Sequence, residues 1–546
     1  MSKAEVLSRP IAPFAERTRR IEAEPLPANI GALLDAAADA VPDHVALHFI
    51  ETGAEFTYRR LRETVWRLVN GLMSIGIGRG THVAVMLPNI PEWPLTWLAF
   101  ARLGAITVPV NTRSAARELH HALDDAEAAY LVIHEQFLPI LAAVAQPLPR
   151  IAGRIVVVGE AGEGQRRWRD LVDGFSAEPP AIPAPALDDL INIQYTSGST
   201  GLPKGCLLSH RYWLQVAKAH SAGDDQSYPR ALAPTPFFYM TPQWLVLFAF
   251  YQRGTLYVAA RQSGSKFMDW VRRYRINFCL FPGAAFKQPP HPLDRQNEIT
   301  RVSIYGFSKH SQAALEERFD FVAREAFGMT EIGAGLSVPL EAVDMVGSGS
   351  VGLPTPFRQC RIADAEGNAL PPGETGELQF RGPGMLQGYY RNPAATAAAF
   401  HGDWFRSGDL ARQDERGNYY IVGRIKDMIK RAGENVAALE VEAVVASLPG
   451  IAEVACVGVP DELRGEEVKI HVSLQDGATP RTLPPEAIWA HCAANLSAFK
   501  VPRFIQYHDA LLPRTGSDKI DKVALKRQAD PRAGAVDRLM HEKAPA

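Results

Sequence analysis

Short apolar runs of strand length recur between amphipathic stretches over the first three hundred or so residues, and this alternation restricts the fold more than any other feature of the chain. His82–Leu87, Ala105–Val110, Tyr130–Ile133 and Ile155–Val158 read as buried strands, the first of them ended by Pro88-Asn89. Between and before them, Ile30, Leu33, Leu34, Ala37 and Ala38, then Leu61, Val65, Leu68, Val69 and Leu72, then Trp93–Leu103, follow helical spacing. Strands that are apolar throughout and separated by helices pack as parallel sheets covered on both faces, so the class expected is α/β. The alternation runs to about Phe327. A Gly/Pro-punctuated, β-rich region follows from Val346 to Val422. A charged segment, Gly423–Gly433, then opens a compact α+β unit with a helix at Leu439–Leu448, strands at Val454–Val459 and Val468–Leu474, and a helix around Pro485–Leu496. The charged, proline-bearing N-terminal stretch (Pro10, Pro13, Pro25, Pro27) is expected to drape over the surface. Pro179–Pro185 reads as a connector, and the tail beyond Asp530 is expected to fray.

The chemistry concentrates in Tyr195–Gly205, YTSGSTGLPKG, which follows the apolar run Leu190–Tyr195 and ends in Pro203-Lys204-Gly205, read as a rigid turn. Glycines let backbone approach a ligand closely, successive N–H groups can cradle an anion, and hydroxyls and a lysine add donors and charge. A polar linker is the ordinary fate of such a cluster, but its placement after a strand argues for a phosphate loop. It is not a Walker loop, because Lys204 is followed by Gly205 rather than Ser or Thr.

The stretch resembles the phosphate-binding loop of the adenylate-forming superfamily, which includes acyl- and aryl-CoA synthetases, luciferases and peptide-synthetase adenylation domains. Ser199 replaces a threonine and keeps the hydroxyl. By that resemblance Thr196, Ser197, Gly198, Ser199, Thr200, Gly201 and Lys204 bind ATP. Phe327-Gly328-Met329-Thr330-Glu331 resembles a second signature, with Phe327 at a position usually tyrosine and Glu331 as Mg²⁺ ligand beside Thr200. Alone, those five residues read as a helix start capped by Thr330. Trp404–Leu410 resembles a third signature, giving Asp409 the ribose hydroxyls, and Gly423–Lys430 a fourth, giving Arg424 a ribose or phosphate contact and Lys426 the domain hinge. Leu512–Ile520 resembles the last, with Lys519 as catalytic lysine and Asp518 where glycine is usual. Lys430, Arg431, Ala432 and Gly433 fall where the resemblance puts coenzyme A.

Five signatures in order imply a large N-terminal domain of layered α/β subdomains plus a β-rich subdomain, residues 1–425, and a small mobile α+β lid, 426–546. The reaction implied is ATP-dependent activation of a carboxylic acid to an acyl-adenylate, with Lys519, Glu331 and Thr200 catalytic, then transfer to coenzyme A. Loading of a carrier protein, a luciferase-like oxygenase and a weakened nucleotide-binding homologue stay open as alternatives. The acyl pocket is expected from Tyr239, Met240, Trp244, Tyr305, Gly306 and Phe307; no Asp lies between Pro234 and Tyr251, which favours an aliphatic or aryl acid over an amino acid.

Composition excludes other classes. The 546 residues carry a formal net charge of −2, which gives no global attraction to nucleic acid. Arg166–Arg169 and Arg272–Arg275 read as solvated faces. The five cysteines form no C-x-x-C pair, against a zinc site or disulfide framework. No signal-peptide core is evident, and the longest apolar run, Trp244–Tyr251, is too short to span a bilayer. A cytoplasmic enzyme is expected, with a homodimer left open.

Overall fold

The computed structural model describes residues 2–196, 203–306, 309–432, 434–515, 519–527 and 530–541. It divides into two compact units. The first holds residues 1–198, 202–360 and 380–404, the second mainly residues 361–379 and 405–546.

Two sheets build the first unit. A seven-stranded sheet runs Arg166–Arg167, Ile155–Val158, Tyr130–His134, His82–Met86, Ile106–Pro109, Leu190–Thr196, Lys204–Ser209, parallel except for the last strand. A nine-stranded sheet has Arg230–Ala233, Thr255–Val258, Phe278–Leu280, Arg301–Ile304 and Val322–Met329 in parallel at its centre. The apolar strands expected at 82, 105, 130 and 155 are all present. Leu131, Ile133, Val157 and Ile193 share a core with Leu119 and Leu123 of a covering helix, and Val302 and Ile304 share one with Phe267, Val271 and Leu315. Each such side chain, fully buried, contributes about 1.5–3 kcal/mol. Helix packing is close enough to require glycine at one point: a Cβ on Gly71, in helix Tyr58–Ser74, would stand 2.0 Å from the Leu171 carbonyl oxygen.

The N-terminal stretch does not drape. It forms helices Lys3–Leu7 and Phe14–Ala23, which bury Val6 and Ile21. Arg17 is buried too, forked onto Glu341 at 3.0 and 3.0 Å with its Nε donating to the Gly223 carbonyl at 2.8 Å. Arg17 and Ile21 lie one helical turn apart, a pairing that the flanking prolines obscured.

The second unit centres on an antiparallel pair, Ile451–Asp461 with Gly465–Leu474, extended in parallel by Phe504–His508. Helices Ala438–Ala446 and Pro485–Asn495 cover one face over Val441, Val445, Val468, Ile470, Ile488 and Trp489. The tail is docked rather than frayed as far as His541. Val536–Asp537 adds a strand beside Phe504–Ile505, and Arg503 forks onto Asp537 at 3.0 and 2.9 Å. Among the described residues no helix is long and apolar enough to cross a membrane.

Candidate active site

In the first unit, Leu190–Thr196 and Lys204–Ser209 form an antiparallel hairpin whose last pair is Thr196 with Lys204. Lys204 therefore opens a strand rather than a turn, because its neighbours continue the apolar alternation of Cys206 and Leu208. Ser197, Gly198, Ser199, Thr200 and Gly201 lie outside the described residues. The hairpin is gripped from one side: Tyr390 N donates to the Gly205 carbonyl at 2.8 Å, and Gln387 N and Leu207 N donate to the Leu207 and Gly388 carbonyls at 2.9 Å each. Beneath it lies a buried amide network. Asn192 Nδ2 donates to Gln243 Oε1 at 2.9 Å, Gln243 Nε2 to the Phe237 carbonyl at 3.0 Å, and Gln194 Nε2 to the Phe238 carbonyl at 2.7 Å.

Glu331 sits at the tip of a tight hairpin between Val322–Met329 and Gly333–Ser337, not at a helix start. Gly333, at φ +72°, makes that turn possible, since a Cβ there would also meet Val216 Cγ2 at 2.4 Å. The Tyr389 hydroxyl donates to Glu331 Oε1 at 3.1 Å, and Lys204 Nζ stands 4.8 Å from the centre of the Tyr389 ring. Lys204 and Glu331, from the first and second signatures, thus share one side chain. Burial, then the Glu331 charge, pushes the Tyr389 phenol far above its ordinary value, so it stays a donor. Gly328 and Met329 pair with Ala334 and Gly333 in the hairpin, which leaves Thr330 in its turn. The Phe327 ring lies parallel to Phe380, centroids 5.8 Å apart.

Around the expected acyl pocket, the Tyr239 hydroxyl accepts from Arg113 Nη2 at 3.4 Å, and Tyr239 precedes helix Met240–Gln252. Met240 Sδ accepts from the Tyr212 hydroxyl at 3.8 Å. Trp244 is buried and stacked on His220 at 4.4 Å, with Phe248 and Phe278 edge-on. Tyr305 is exposed, and Gly306, at φ +70°, donates its N–H to Glu325 Oε1. Phe307 lies outside the described residues.

The second unit gathers the remaining charges. Asp409 is 3% exposed and pairs across strands with Arg424, whose Nε lies 2.8 Å from Asp409 Oδ1. Burial raises the Asp409 carboxyl, and Arg424, Lys519 and Lys426 act against that rise. Lys426, in the short 3₁₀ turn Ile425–Asp427, is drawn below the usual lysine range by partial burial, with Arg424 and Lys519 adding to the effect. Lys519 is exposed. Its carbonyl accepts from Thr515 N at 2.8 Å and its N–H donates to Thr515 Oγ1 at 3.3 Å; Asp518 lies outside the described residues, as do Gly516 and Ser517. Lys430 is exposed and its N–H donates to Glu466 Oε2 at 2.7 Å. The Arg431 guanidinium is committed to Glu467 at 2.7 Å, and Ala432 takes φ +51°. Gly433 lies outside the described residues.

Sequence reasoning missed two side chains here. Tyr389 lies 58 positions from its partner Glu331, in a β-rich stretch where only the Gly388-Tyr389-Tyr390 grouping hints at a role. Glu377 accepts from Gly408 N at 3.2 Å and from Arg406 Nε at 2.8 Å, which holds the turn beneath Asp409. Inside a strand it reads as an ordinary solvent-facing carboxylate.

The family described as AMP-binding enzyme matches residues 34–390, and its C-terminal domain matches residues 440–519. The chain is 33% identical over 521 residues to a crotonobetaine/carnitine–CoA ligase of Salmonella choleraesuis (strain SC-B67), covering 91% of this chain and 99% of that one. Among solved structures, ATP-bound MatB from Rhodopseudomonas palustris matches at TM-score 0.81 and 26% identity, over 92% of this chain and 98% of that one. The anthranilate CoA ligase AuaEII in complex with anthranoyl-AMP shares the fold, at TM-score 0.83 and 24% identity, over the same shares. Matched by the family model over residues 34–390 and by a relative 33% identical across 91% of its length, the chain belongs to the AMP-binding enzyme family.

Proposed function

We propose that the chain joins a carboxylic acid to AMP, releasing pyrophosphate, and then passes the acyl group to the thiol of coenzyme A. The observation that carries this reading is the meeting of Lys204 and Glu331 on Tyr389: a cation and a carboxylate from two distant signatures are held beside the strand that leads into the phosphate loop. A carboxylate attacking an α-phosphate brings two anions together, so the barrier is electrostatic and fixed cations lower it. Asp409 and Arg424 hold the ribose, Lys519 supplies positive charge to the reacting carboxylate and α-phosphate, and the phosphate loop with Lys204 holds the departing pyrophosphate.

The residues fit a divalent cation supplied with the nucleotide. Glu331 offers hard carboxylate oxygen at a half-buried position, and among the described residues no cluster of three His, Cys, Asp or Glu forms a protein-only cage. That is the pattern of Mg²⁺, which binds through one or two carboxylates, substrate phosphates and waters. Glu331, with Thr200, would hold it, and the bound ion would neutralise phosphate charge. We further propose that Lys426 marks the hinge of a lid spanning 426–546, that Lys430 and Ala432–Gly433 border the coenzyme A path, and that the enzyme works in the cytoplasm, where Cys206, Cys279, Cys456 and Cys492 stay as buried thiols.

The acid pocket of Tyr239, Met240 and Trp244 favours an aliphatic or aryl acid. The test is a carboxylic acid panel with ATP, Mg²⁺ and coenzyme A, scored for pyrophosphate and AMP, that includes short, branched and aromatic acids and the carnitine and crotonobetaine named for the Salmonella relative. Acid-dependent release of both products in equal amounts supports the reading. Pyrophosphate release that no acid stimulates overturns it.

A further inference from the structure

We propose that Arg358 is a positioning residue for the Glu331 turn: its buried guanidinium grips the Ile332 carbonyl and thereby fixes where the neighbouring carboxylate meets a nucleotide-bound divalent cation. This rests on the role given to Glu331 above. Arg358 is 7% exposed, and every donor it has is spent on backbone oxygen. Nε donates to the Ile332 carbonyl at 2.8 Å and Nη2 to the same oxygen at 2.6 Å. Nη1 donates to the Phe357 and Pro383 carbonyls at 2.8 Å each, and Nη2 also to the Gly384 carbonyl at 3.2 Å. Among the described residues no carboxylate pairs with it.

A buried charge is ordinarily neutralised by an opposite one. Here carbonyl dipoles solvate the charge without cancelling it, so a fixed positive centre remains behind the Glu331 hairpin. Burial draws its pKa down to about 10, which leaves it a cation at neutral pH. The grip falls on two segments that both touch Glu331. One is the hairpin tip itself, Glu331-Ile332. The other is the Pro383–Leu386 stretch, whose Leu386 N–H donates to the Glu331 carbonyl at 2.8 Å. The two carbonyls of the tip are therefore held from two sides, one by Leu386 and one by Arg358. The residue that delivers Arg358 is itself strained. Phe357 takes φ +71°, a region that bulky side chains avoid, and such strain persists where surrounding structure enforces it and clusters at functional sites. Lysine is no substitute for this geometry, because one ammonium cannot reach carbonyls spread around a planar fork.

The experiment follows ATP binding to the full-length protein by calorimetry across a Mg²⁺ titration, for the parent, R358M, R358K, E331Q and the R358M/E331Q double variant. R358M is expected to raise the half-saturating Mg²⁺ concentration about tenfold and R358K about threefold, while ATP binding in EDTA stays within about twofold. In the E331Q background, R358M is expected to add nothing, since the two act as one unit. A Mg²⁺ midpoint unchanged in R358M, or an effect that adds in full to that of E331Q, overturns the positioning role while leaving Glu331 its own. If E331Q does not shift the midpoint either, the role of Glu331 fails and this inference fails with it. Should R358M not fold, R358K carries the comparison: an unshifted midpoint there overturns the proposal.

Discussion

Replacing Tyr389 by phenylalanine isolates one hydrogen bond at the meeting point of the phosphate hairpin and the Glu331 turn. The side chain is nearly buried, its hydroxyl lies 3.1 Å from Glu331 Oε1, and its ring carries Lys204 Nζ at 4.8 Å. A hydrogen bond to a charged acceptor contributes about 1.5–3 kcal/mol, and at this length the lower figure applies. Y389F is therefore expected to weaken Mg²⁺-dependent ATP binding about tenfold, since each 1.4 kcal/mol is a factor of ten. The ring remains, so the contact with Lys204 remains. Y389L removes both, and the lost cation–π contact adds about 0.5–1 kcal/mol, a further two- to fivefold. Because burial and Glu331 push the phenol far above its ordinary value, the Y389F effect is flat across neutral pH. Calorimetric ATP titrations at fixed Mg²⁺, with acid-dependent pyrophosphate release alongside, read both steps. If Y389F binds like the parent, the hydroxyl does not hold Glu331; if it is weakened as much as Y389L, the ring contact with Lys204 contributes nothing and the subdivision of the contact is wrong.

Lys519→Ala is expected to abolish acyl-adenylate formation yet spare thioester formation from a supplied adenylate; equal loss in the two half-reactions, assayed separately, rejects that division of labour. Glu377→Gln keeps the shape beneath the Gly408 turn but loses the ion pair with Arg406, and it is expected to raise KM for ATP about three- to tenfold with kcat little changed, so a kcat loss at unchanged KM contradicts the positioning role. Acid should destabilise both units. Burial holds His210 at about 4, His220 at about 3 and His471 at about 3, all neutral when folded. The unfolded chain takes up those protons below about 6.5, so stability falls as pH drops from there toward the folded values, and the step from pH 7 to 5 costs about 2 kcal/mol per histidine. Urea midpoints at pH 7, 6 and 5 test this; midpoints flat over that range refute it.

The parallel sheets were legible because each central strand is apolar throughout, as Val83–Met86 and Leu131–Ile133 are, and this signal is local. The N-terminal helices were not, because prolines flank a helix whose buried face consists of Arg17 and Ile21, and a buried arginine reads as exposed until Glu341, 324 positions away, is seen beside it. Shorter separations, 58 positions between Tyr389 and Glu331 and 26 between Arg358 and Ile332, hid those two side chains while leaving Glu331 and Lys204 readable. Signatures record groups that face a ligand in short contiguous runs. The groups that hold those runs in place are scattered, and their chemistry, a tyrosine in an irregular segment or an arginine after a turn, is unremarkable until carbonyls and carboxylates from elsewhere meet it. The helix start that Phe327–Glu331 would suggest in isolation is absent for a related reason: Gly333 at φ +72° makes a hairpin where the residue types alone allowed a cap.

Asp409 carries a consequence for Lys519 that differs from the catalytic part proposed for that lysine. A carboxylate that accepts ribose hydroxyls works best ionised, yet burial raises its pKa, and the offset comes from Arg424 first, then Lys519, then Lys426. Arg424 lies 2.8 Å away, in direct contact with the carboxylate, whereas Lys519 acts across space from an exposed position. Removing the Lys519 charge therefore lets the Asp409 pKa climb further. Since the ionised form is needed, ATP binding should fail at higher pH on the acid side in K519M than in the parent, with the two curves meeting above neutrality. Measuring binding rather than turnover, from pH 5 to 8, separates this from loss of the catalytic step, and R424K gives the scale by weakening the nearer partner. An acid limb that stays put in K519M would mean that Lys519 has no electrostatic hold on Asp409, and that Arg424 alone keeps the buried carboxylate charged.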